Sequence, residues 1–337
     1  MSESTATSQT SAGGHATEPG EHGGSTTAIL AALAANIGIA IAKFVAFLIT
    51  GASSMLAEAI HSLADSGNQV LLLVGGRRAK RAATPEHPFG YGRDRYIYAF
   101  IVSIVLFSVG GLFAVYEGVH KLQHPEALDS PAWAIGVLVI AIVLEGFSLR
   151  TALKETAEVK SPDDSYWAFI RHTRAPELAV VLLEDTAAEL GLVFALLGVS
   201  LTTLTGAPAF DALGTIAIGL LLVVVAAILG METSSLLVGE SATPEDQRKI
   251  VGALEADAAG ISVIHMRTMH LGPDELLVAA KIAVAHDDTA AAVAQAIDQA
   301  EVRIRAAVPA ARHIFLEPDL RRGAGPAASE AHAIPRD

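Results

Sequence analysis

The chain has 337 residues, of which 52% are hydrophobic and 18% are charged, and its mean hydropathy of +0.45 is typical of a polytopic membrane protein. The net charge is −13 and no basic, aromatic-rich patch is present, so we expect no nucleic-acid partner. Cysteine is absent, which excludes disulfides and thiolate ligands and leaves nitrogen and oxygen donors for any bound ion.

The first 26 residues are rich in Ser, Thr, Gly and acidic side chains and have almost nothing to bury, so they predict a disordered tail. Six apolar stretches follow, each long enough to cross a bilayer. Their boundaries lie near 27–49, 54–76, 96–117, 132–153, 177–203 and 212–231. Together they predict a six-helix transmembrane domain over residues 27–239.

Lys and Arg are concentrated in two of the connections between these stretches. The connection 77–95 holds six of them and the connection 154–176 holds four, whereas 50–53 and 204–211 hold none. Basic loops are retained on the cytoplasmic side of a membrane, so both basic connections and both termini are predicted to be cytoplasmic. We expect an integral protein of the plasma (inner) membrane.

The second stretch, SMLAEAIHSLADSGNQVLLLV, carries Glu58, His61, Asp65 and Asn68 within a segment that is otherwise suited to lipid. His61 and Asp65 are four residues apart, so a helix places them on one face, one turn apart. An imidazole and a carboxylate in this arrangement can hold one divalent cation. Ionisable groups inside a span cost free energy, and they mark an ion pathway.

The fifth stretch, LAVVLLEDTAAELGLVFALLG, repeats this pattern with three acids. At about 1.5 Å per residue from opposite membrane faces, Asp65 and these acids reach a similar depth near the bilayer midplane. We predict one shared metal site, with the candidate ligands His61, Asp65, Glu184, Asp185 and Glu189. The spacing favours the Asp185–Glu189 pair, because Glu184 is turned by about 100° from Asp185.

Two further ionisable groups lie inside predicted spans. Lys43 is about six residues from the outer end of the first span, and we interpret it as a side chain that snorkels to the interface. Glu145 lies deeper in the fourth span and must face protein or water rather than lipid. It is either a proton-relay group or a buried structural acid.

The mixed composition of the predicted metal site also indicates a means of driving transport. Metal ligands must be deprotonated, so metal binding releases protons and proton binding releases metal. A site that takes either a divalent cation or protons, and that opens alternately to each side, is a metal/proton antiporter.

After Gly239 the sequence becomes soluble in character, and it predicts the order αββαβ over residues 240–319, a small α+β domain. Thr243 is the expected start of its first helix, and Asp288 is the expected N-cap of its second. Several side chains here are candidates for a regulatory metal site: His265, His270, His286, Asp287, Asp288, His313 and Glu317. Residues 320–337 predict a second disordered tail.

Three segments, SMLAEAIHSLADSGNQ, HPFGYGRDRY and LLEDTAAELG, together with the order of six spans and αββαβ, resemble the cation diffusion facilitator family of zinc and related metal transporters. The third segment resembles the branch that contains the mitochondrial zinc transporter of animals. The likeness covers about residues 27–319. In span five it departs from the family's usual His-x-x-x-Asp, since Glu184 or Asp185 stands at the His position.

The resemblance implies a homodimer, a ferredoxin-like cytoplasmic domain that dimerises, and proton-coupled export of a divalent cation from the cytoplasm. Zn²⁺ is the expected substrate, and protons are the expected counter-substrate. Carboxylate oxygens suit Mn²⁺, whereas one His ligand favours Zn²⁺, Co²⁺ or Fe²⁺. Mn²⁺, Fe²⁺, Co²⁺ and Cd²⁺ therefore remain open as substrates. No prosthetic group is expected, and membrane lipid is the surrounding partner.

Two other function classes are compatible with buried ligands in a membrane. An intramembrane metalloprotease needs a His-Glu-x-x-His motif on a span, which the sequence lacks, so we expect no enzymatic activity. A channel, or a membrane metal sensor that signals through its cytoplasmic domain, remains the alternative to a transporter.

Overall fold

The structure is a computed structural model that describes residues 25–256 and 261–320, with side chains described from Asn36 onward. The predicted tails, 1–26 and 320–337, lie outside these ranges except at their inner ends. The helices are α1 Ser25–Thr50, α2 Ser53–Ala79, α3 Asp94–Val105, α4 Phe113–Gln123, α5 Pro131–Val159, α6 Tyr166–His172, α7 Pro176–Thr205, α8 Ala209–Val238, α9 Pro244–Glu255 and α10 Ala290–Ala307. The strands are β1 Ser262–Gly272, β2 Glu275–Val284 and β3 Ala311–Leu320.

Four helices in the described residues are long and apolar enough to cross a membrane: Asp94–Gln123, Pro131–Val159, Pro176–Thr205 and Ala209–Val238. The first of these is α3 and α4 joined by a π-helical segment, Leu106–Leu112. The short helix α6 was not expected from the sequence. Its start is fixed by the Ser165 hydroxyl, which accepts a hydrogen bond from the Ala168 amide.

The helix α2 is 27 residues long but is too polar to count among these four. At about 1.5 Å per residue it is still long enough to cross the hydrocarbon core. Its polar side chains Glu58, His61 and Asn68 are buried against protein, so they do not face lipid. The part of α1 whose side chains are described, Asn36–Thr50, is apolar but is shorter than the four helices that can cross a membrane.

The helix α7 is the centre of the site region, since it packs against α8, α5 and α2. It begins with Pro176, whose fixed φ suits the first helical position and whose missing amide hydrogen would be unpaired there in any case. It ends at Gly206, which adopts a left-handed φ of 71°. Both signals are local, so the sequence alone places this helix to within two residues.

The C-terminal elements follow in the predicted order, α9, β1, β2, α10 and β3. The strand β2 pairs antiparallel with β1 and parallel with β3, and α10 is the crossover between the parallel strands. Ile250, Leu276 and Ile304 belong to the core between the helices and one face of the sheet. Thr243 caps α9 as predicted, but Thr289 caps α10, and Asp288 instead accepts a hydrogen bond from the Ala285 amide.

The basic connections lie at the same end of the helical bundle as this small sheet. Gly92 packs backbone to backbone on Gly272, where an added Cβ on Gly272 would lie 2.9 Å from the Gly92 Cα. Arg95 at the start of α3 pairs with Asp274 in the β1–β2 turn at 3.0 Å. The basic end of the bundle and the sheet domain therefore share one side of the membrane.

This arrangement predicts the sidedness of labelling. The chain has no cysteine of its own, so Lys80→Cys in the basic connection and Glu126→Cys in the α4–α5 connection provide single reporters. We expect a membrane-impermeant maleimide to label Glu126→Cys, but not Lys80→Cys, from outside intact cells. Labelling of Lys80→Cys from outside would overturn the predicted topology, and labelling of both after permeabilisation is the control.

Candidate functional site

The polar side chains of α2 form one stripe along the helix. Glu58, His61, Asp65 and Asn68 follow one another at intervals of three or four residues, which places them on one face. The side chains of Glu58, His61 and Asn68 are fully or almost fully buried, and that of Asp65 is 16% exposed. His61 Nδ1 lies 3.4 Å from Asp65 Oδ1.

The adjacent acids Glu184 and Asp185 of α7 turn toward different neighbours. Asn68 Nδ2 donates a hydrogen bond of 2.7 Å to Glu184 Oε1, which ties α7 to α2. Ser148 Oγ donates a hydrogen bond of 2.9 Å to Asp185 Oδ2, which ties α7 to α5. Consecutive residues on a helix are about 100° apart, so the two carboxylates approach the space between α2 and α5 from its two sides.

A small polar cavity lies where these three helices meet α1. Its volume is about 20 Å³, which is room for about one water molecule or one small cation. The lining residues are Asn36, Ser62, Asp65, Gln69, Glu145, Ser148, Val181, Glu184 and Asp185. Four of these side chains are carboxylates, so the cavity is strongly attractive to cations.

Several buried polar atoms of α2 and α7 make no hydrogen bond within the described residues. They are His61 Nδ1 and Nε2, Asp65 Oδ1, Asn68 Oδ1 and Glu189 Oε2. An unsatisfied buried donor or acceptor costs about 1–3 kcal/mol. Imidazole nitrogens and carboxylate oxygens of this kind are the ligands that Zn²⁺ takes in the absence of Cys. The donor set therefore fits a bound divalent cation.

The structure brings the predicted ligands together only in part. Asp65, Glu184 and Asp185 line the cavity and His61 is next to Asp65, whereas Glu189 is outside the lining. Within 25–256 and 261–320, no group of three or more His, Asp or Glu side chains is close enough to hold a metal ion as it stands. The candidate ligands are arranged as two halves, one on α2 and one on α7.

Two residues near this cavity differ from their sequence interpretation or were missed. Lys43 does not snorkel, because its side chain is fully buried and paired with acids. Ser148, the hydrogen-bond donor to Asp185, was not considered, although it follows Glu145 by three residues and so shares its helix face. That spacing is the signal from which Ser148 was predictable.

The candidates for a regulatory metal site in the C-terminal domain do not converge in the described part of the chain. His313 packs edge-on against Phe89, with ring centroids 5.3 Å apart. His265 and His286 are exposed, whereas His270 is buried. Burial lowers the pKa of the His270 imidazole, so this side chain is neutral at physiological pH.

Comparison with known proteins places these features in a family. Residues 29–238, most of the helical bundle, match the cation efflux transmembrane domain. The chain belongs to the cation efflux family. This confirms the resemblance inferred from the sequence, and it establishes a membrane protein of a transporter family rather than an enzyme family.

Individual relatives from animals, plants and bacteria cover different shares of the chain. Proteins of Mus musculus and Homo sapiens, both called "Proton-coupled zinc antiporter SLC30A9, mitochondrial", are 36% identical over 231 residues, which is 68% of this chain and 41% of the relative. "Metal tolerance protein C4" of Arabidopsis thaliana is 27% identical over 77% of this chain and 57% of its own length. "Cation-efflux pump FieF" of Serratia proteamaculans is 28% identical over 74% of this chain and 78% of its own length. The chain thus spans about two fifths of the length of the mouse and human relatives.

The contact between α2 and α7 leads to a stability prediction. In Asn68→Leu the buried Glu184 carboxylate loses its amide donor. We therefore expect the free energy of unfolding to fall by about 1–3 kcal/mol and the Tm in detergent to fall by roughly 2–6 °C. Gln69→Leu is the matched control, because Gln69 lines the same cavity but makes no hydrogen bond to Glu184. Equal Tm values for the two variants would show that the Asn68–Glu184 bond does not stabilise the bundle.

Proposed function

We propose that this protein is a secondary transporter that exports a divalent cation, Zn²⁺ above all, from the cytoplasm in exchange for protons. The observation that carries the proposal is the small acidic cavity within the bundle, with His61 and Asp65 on one side and Glu184 and Asp185 on the other. Ionisable groups at this depth in a membrane domain mark an ion pathway. Membership in the cation efflux family and the names of the animal relatives support the same reading.

Cation binding requires the two halves of the site to converge. A divalent ion in the cavity attracts the carboxylates of Glu184 and Asp185 away from their neutral partners, Asn68 and Ser148. Hydrogen bonds to neutral groups contribute less than ligation of a divalent ion by an ionised carboxylate, so this exchange is favourable only with a metal present. The transported ion therefore replaces the hydrogen bond between Asn68 and Glu184 by shared ligation across α2 and α7, and its release restores that hydrogen bond.

The same ligands carry protons in the return step. Metal binding requires a neutral imidazole and ionised carboxylates, so each bound cation displaces protons and each returning proton disfavours metal. Alternating exposure of one such site to the two sides of the membrane couples the two fluxes. No resident cofactor enters this cycle, because the metal ion is the cargo.

The organisation that goes with this function has several parts, each a proposal. Residues 27–239 form six spans with both termini in the cytoplasm, and residues 240–319 form a ferredoxin-like domain that dimerises. The membrane is the plasma (inner) membrane, although the animal relatives are named as mitochondrial.

The role of Asp65 is tested by removing its charge. We expect Asp65→Asn to abolish Zn²⁺ uptake into inverted vesicles while the protein still elutes as wild type on size exclusion, because an amide oxygen is a much weaker zinc ligand. Asp163→Asn, an exposed site in the α5–α6 connection, is the matched control. Wild-type flux in Asp65→Asn would remove Asp65 from the site, and flux that does not saturate with Zn²⁺ would favour a channel.

Proton coupling predicts a definite direction of pH dependence. Acidifying the loading side protonates the imidazole and carboxylates, so uptake should slow as that pH falls. His61→Asp replaces an imidazole by a carboxylate, which ordinarily releases its proton at a lower pH, so the inhibition should move to lower pH. The all-oxygen site should also gain preference for Mn²⁺ over Zn²⁺. Uptake by the wild type that ignores an imposed pH gradient would exclude antiport without excluding the metal site.

A further inference from the structure

A lysine side chain is enclosed beside the acidic cavity. The ammonium of Lys43 on α1 donates hydrogen bonds to Glu58 Oε2 at 3.1 Å and to Ser62 Oγ at 2.8 Å. A second carboxylate oxygen, Glu145 Oε1 on α5, is 3.9 Å away, which is beyond hydrogen-bond distance. The Lys43 side chain has no exposed surface. A charge buried at this depth in a membrane domain is retained only where it is paired, and it is a functional group by default.

The two acids that face Lys43 differ in how firmly they are held. Glu58 is fully buried and lies directly against α7, since a Cβ on Gly191 would be 2.5 Å from Glu58 Oε1. Its contact with Lys43 is a close, hydrogen-bonded ion pair. Glu145 is 14% exposed, stands beyond hydrogen-bond range of the ammonium and lines the cavity. Glu58 is thus the fixed partner and Glu145 the loose one.

Glu145 faces two cations in turn when the cavity takes its cargo. It shares the cavity lining with Asp65, Glu184 and Asp185, the candidate ligands, so a divalent ion there comes within reach of its carboxylate. A divalent ion exerts twice the attraction of an ammonium at equal distance. The ammonium in turn repels the incoming ion, because little water separates charges buried this deeply.

We propose that Lys43 is a tethered cation that competes with the transported ion, and that Glu145 is a further cation-binding carboxylate of the transport site. In the empty site the Glu145 carboxylate pairs with the Lys43 ammonium, and in the loaded site it binds the divalent ion. Lys43 thereby weakens metal binding and speeds metal release. This inference rests on the proposed function, since it assigns two more residues to the same site.

The purely structural alternative makes different predictions. If Lys43, Glu58 and Glu145 only hold α1, α2 and α5 together, their replacement lowers stability and leaves the affinity of folded protein for metal unchanged. If Lys43 competes with the transported ion, replacing Lys43 and replacing Glu145 must change the affinity for metal in opposite directions. Loss of the Glu145 charge weakens metal binding, and loss of the Lys43 charge strengthens it.

The experiment measures Zn²⁺ affinity of the purified full-length chain by competition with a fluorescent zinc indicator, together with KM and kcat for Zn²⁺ uptake in proteoliposomes. We expect Glu145→Gln to weaken Zn²⁺ binding about tenfold or more, and Lys43→Gln to strengthen it by a similar factor while lowering kcat through slow release. In the Glu145→Gln background, Lys43→Gln should have a smaller effect, since only the direct repulsion between the ammonium and the divalent ion is left to remove. Glu158→Gln, an exposed acid on the same helix as Glu145, is the matched control and should bind as wild type.

A second variant covers the case in which Lys43→Gln leaves Glu58 unpaired and prevents folding. Lys43→Gln/Glu58→Gln removes the fixed ion pair without changing the net charge, and it should still strengthen Zn²⁺ binding, because Glu145 is freed. Unchanged affinity in Glu145→Gln and in this double variant, with Asp65→Asn losing affinity, would overturn this inference alone. Absence of Zn²⁺ binding by the wild type would overturn both this inference and the proposed function.

Discussion

The bundle is organised by the need to pair charges in its largely buried interior. An unpaired ion in a low-dielectric interior is strongly disfavoured, whereas a paired and hydrogen-bonded one is tolerated. Here the pairing runs across helices: Lys43 of α1 contacts Glu58 of α2 and approaches Glu145 of α5. Asn68 of α2 and Ser148 of α5 each donate a hydrogen bond to a carboxylate of α7. Four helices therefore depend on one polar cluster for their mutual position.

This cluster is also what makes the site able to change. Packed apolar interfaces hold one arrangement, but a carboxylate with a neutral partner exchanges that partner when a divalent ion enters. Glu184 and Asp185 are held by hydrogen bonds from neutral donors. The unsatisfied nitrogens of His61 and the Asp65 oxygen leave room for a stronger interaction. In the proposed cycle, metal, protons and Lys43 compete for a small number of carboxylates. Such competition sets a moderate affinity, and a transporter needs one in order to release its cargo.

Contacts at the basic end of the bundle link this cluster to the small sheet domain. Arg95 at the start of α3 pairs with Glu177 in the first turn of α7 and with Asp274 in the β1–β2 turn. The close approach of Gly92 and Gly272 brings the basic connection onto the same turn, because neither residue has a Cβ. In the proposed cycle, a displacement of α7 would reach the sheet domain through Arg95 and through Arg174, which pairs with Glu240. Glu177 is well placed for this role, since an acid at a helix N-terminus is favoured by the helix dipole.

The sequence by itself determined the long helices, the polar stripe of α2, the order αββαβ and the family, because each depends on local spacing and composition, whereas the short helix α6 was not foreseen. Tertiary packing decided the rest. The spacing argument favoured Asp185 with Glu189, but α7 is wedged between α2 and α5, so Glu184 and Asp185 each reach the cavity from one side while Glu189 is outside its lining. Lys43 has the length to snorkel, but acids on two other helices enclose it. Partners that are distant in the sequence leave no periodic signal in it, so only the folded chain shows them.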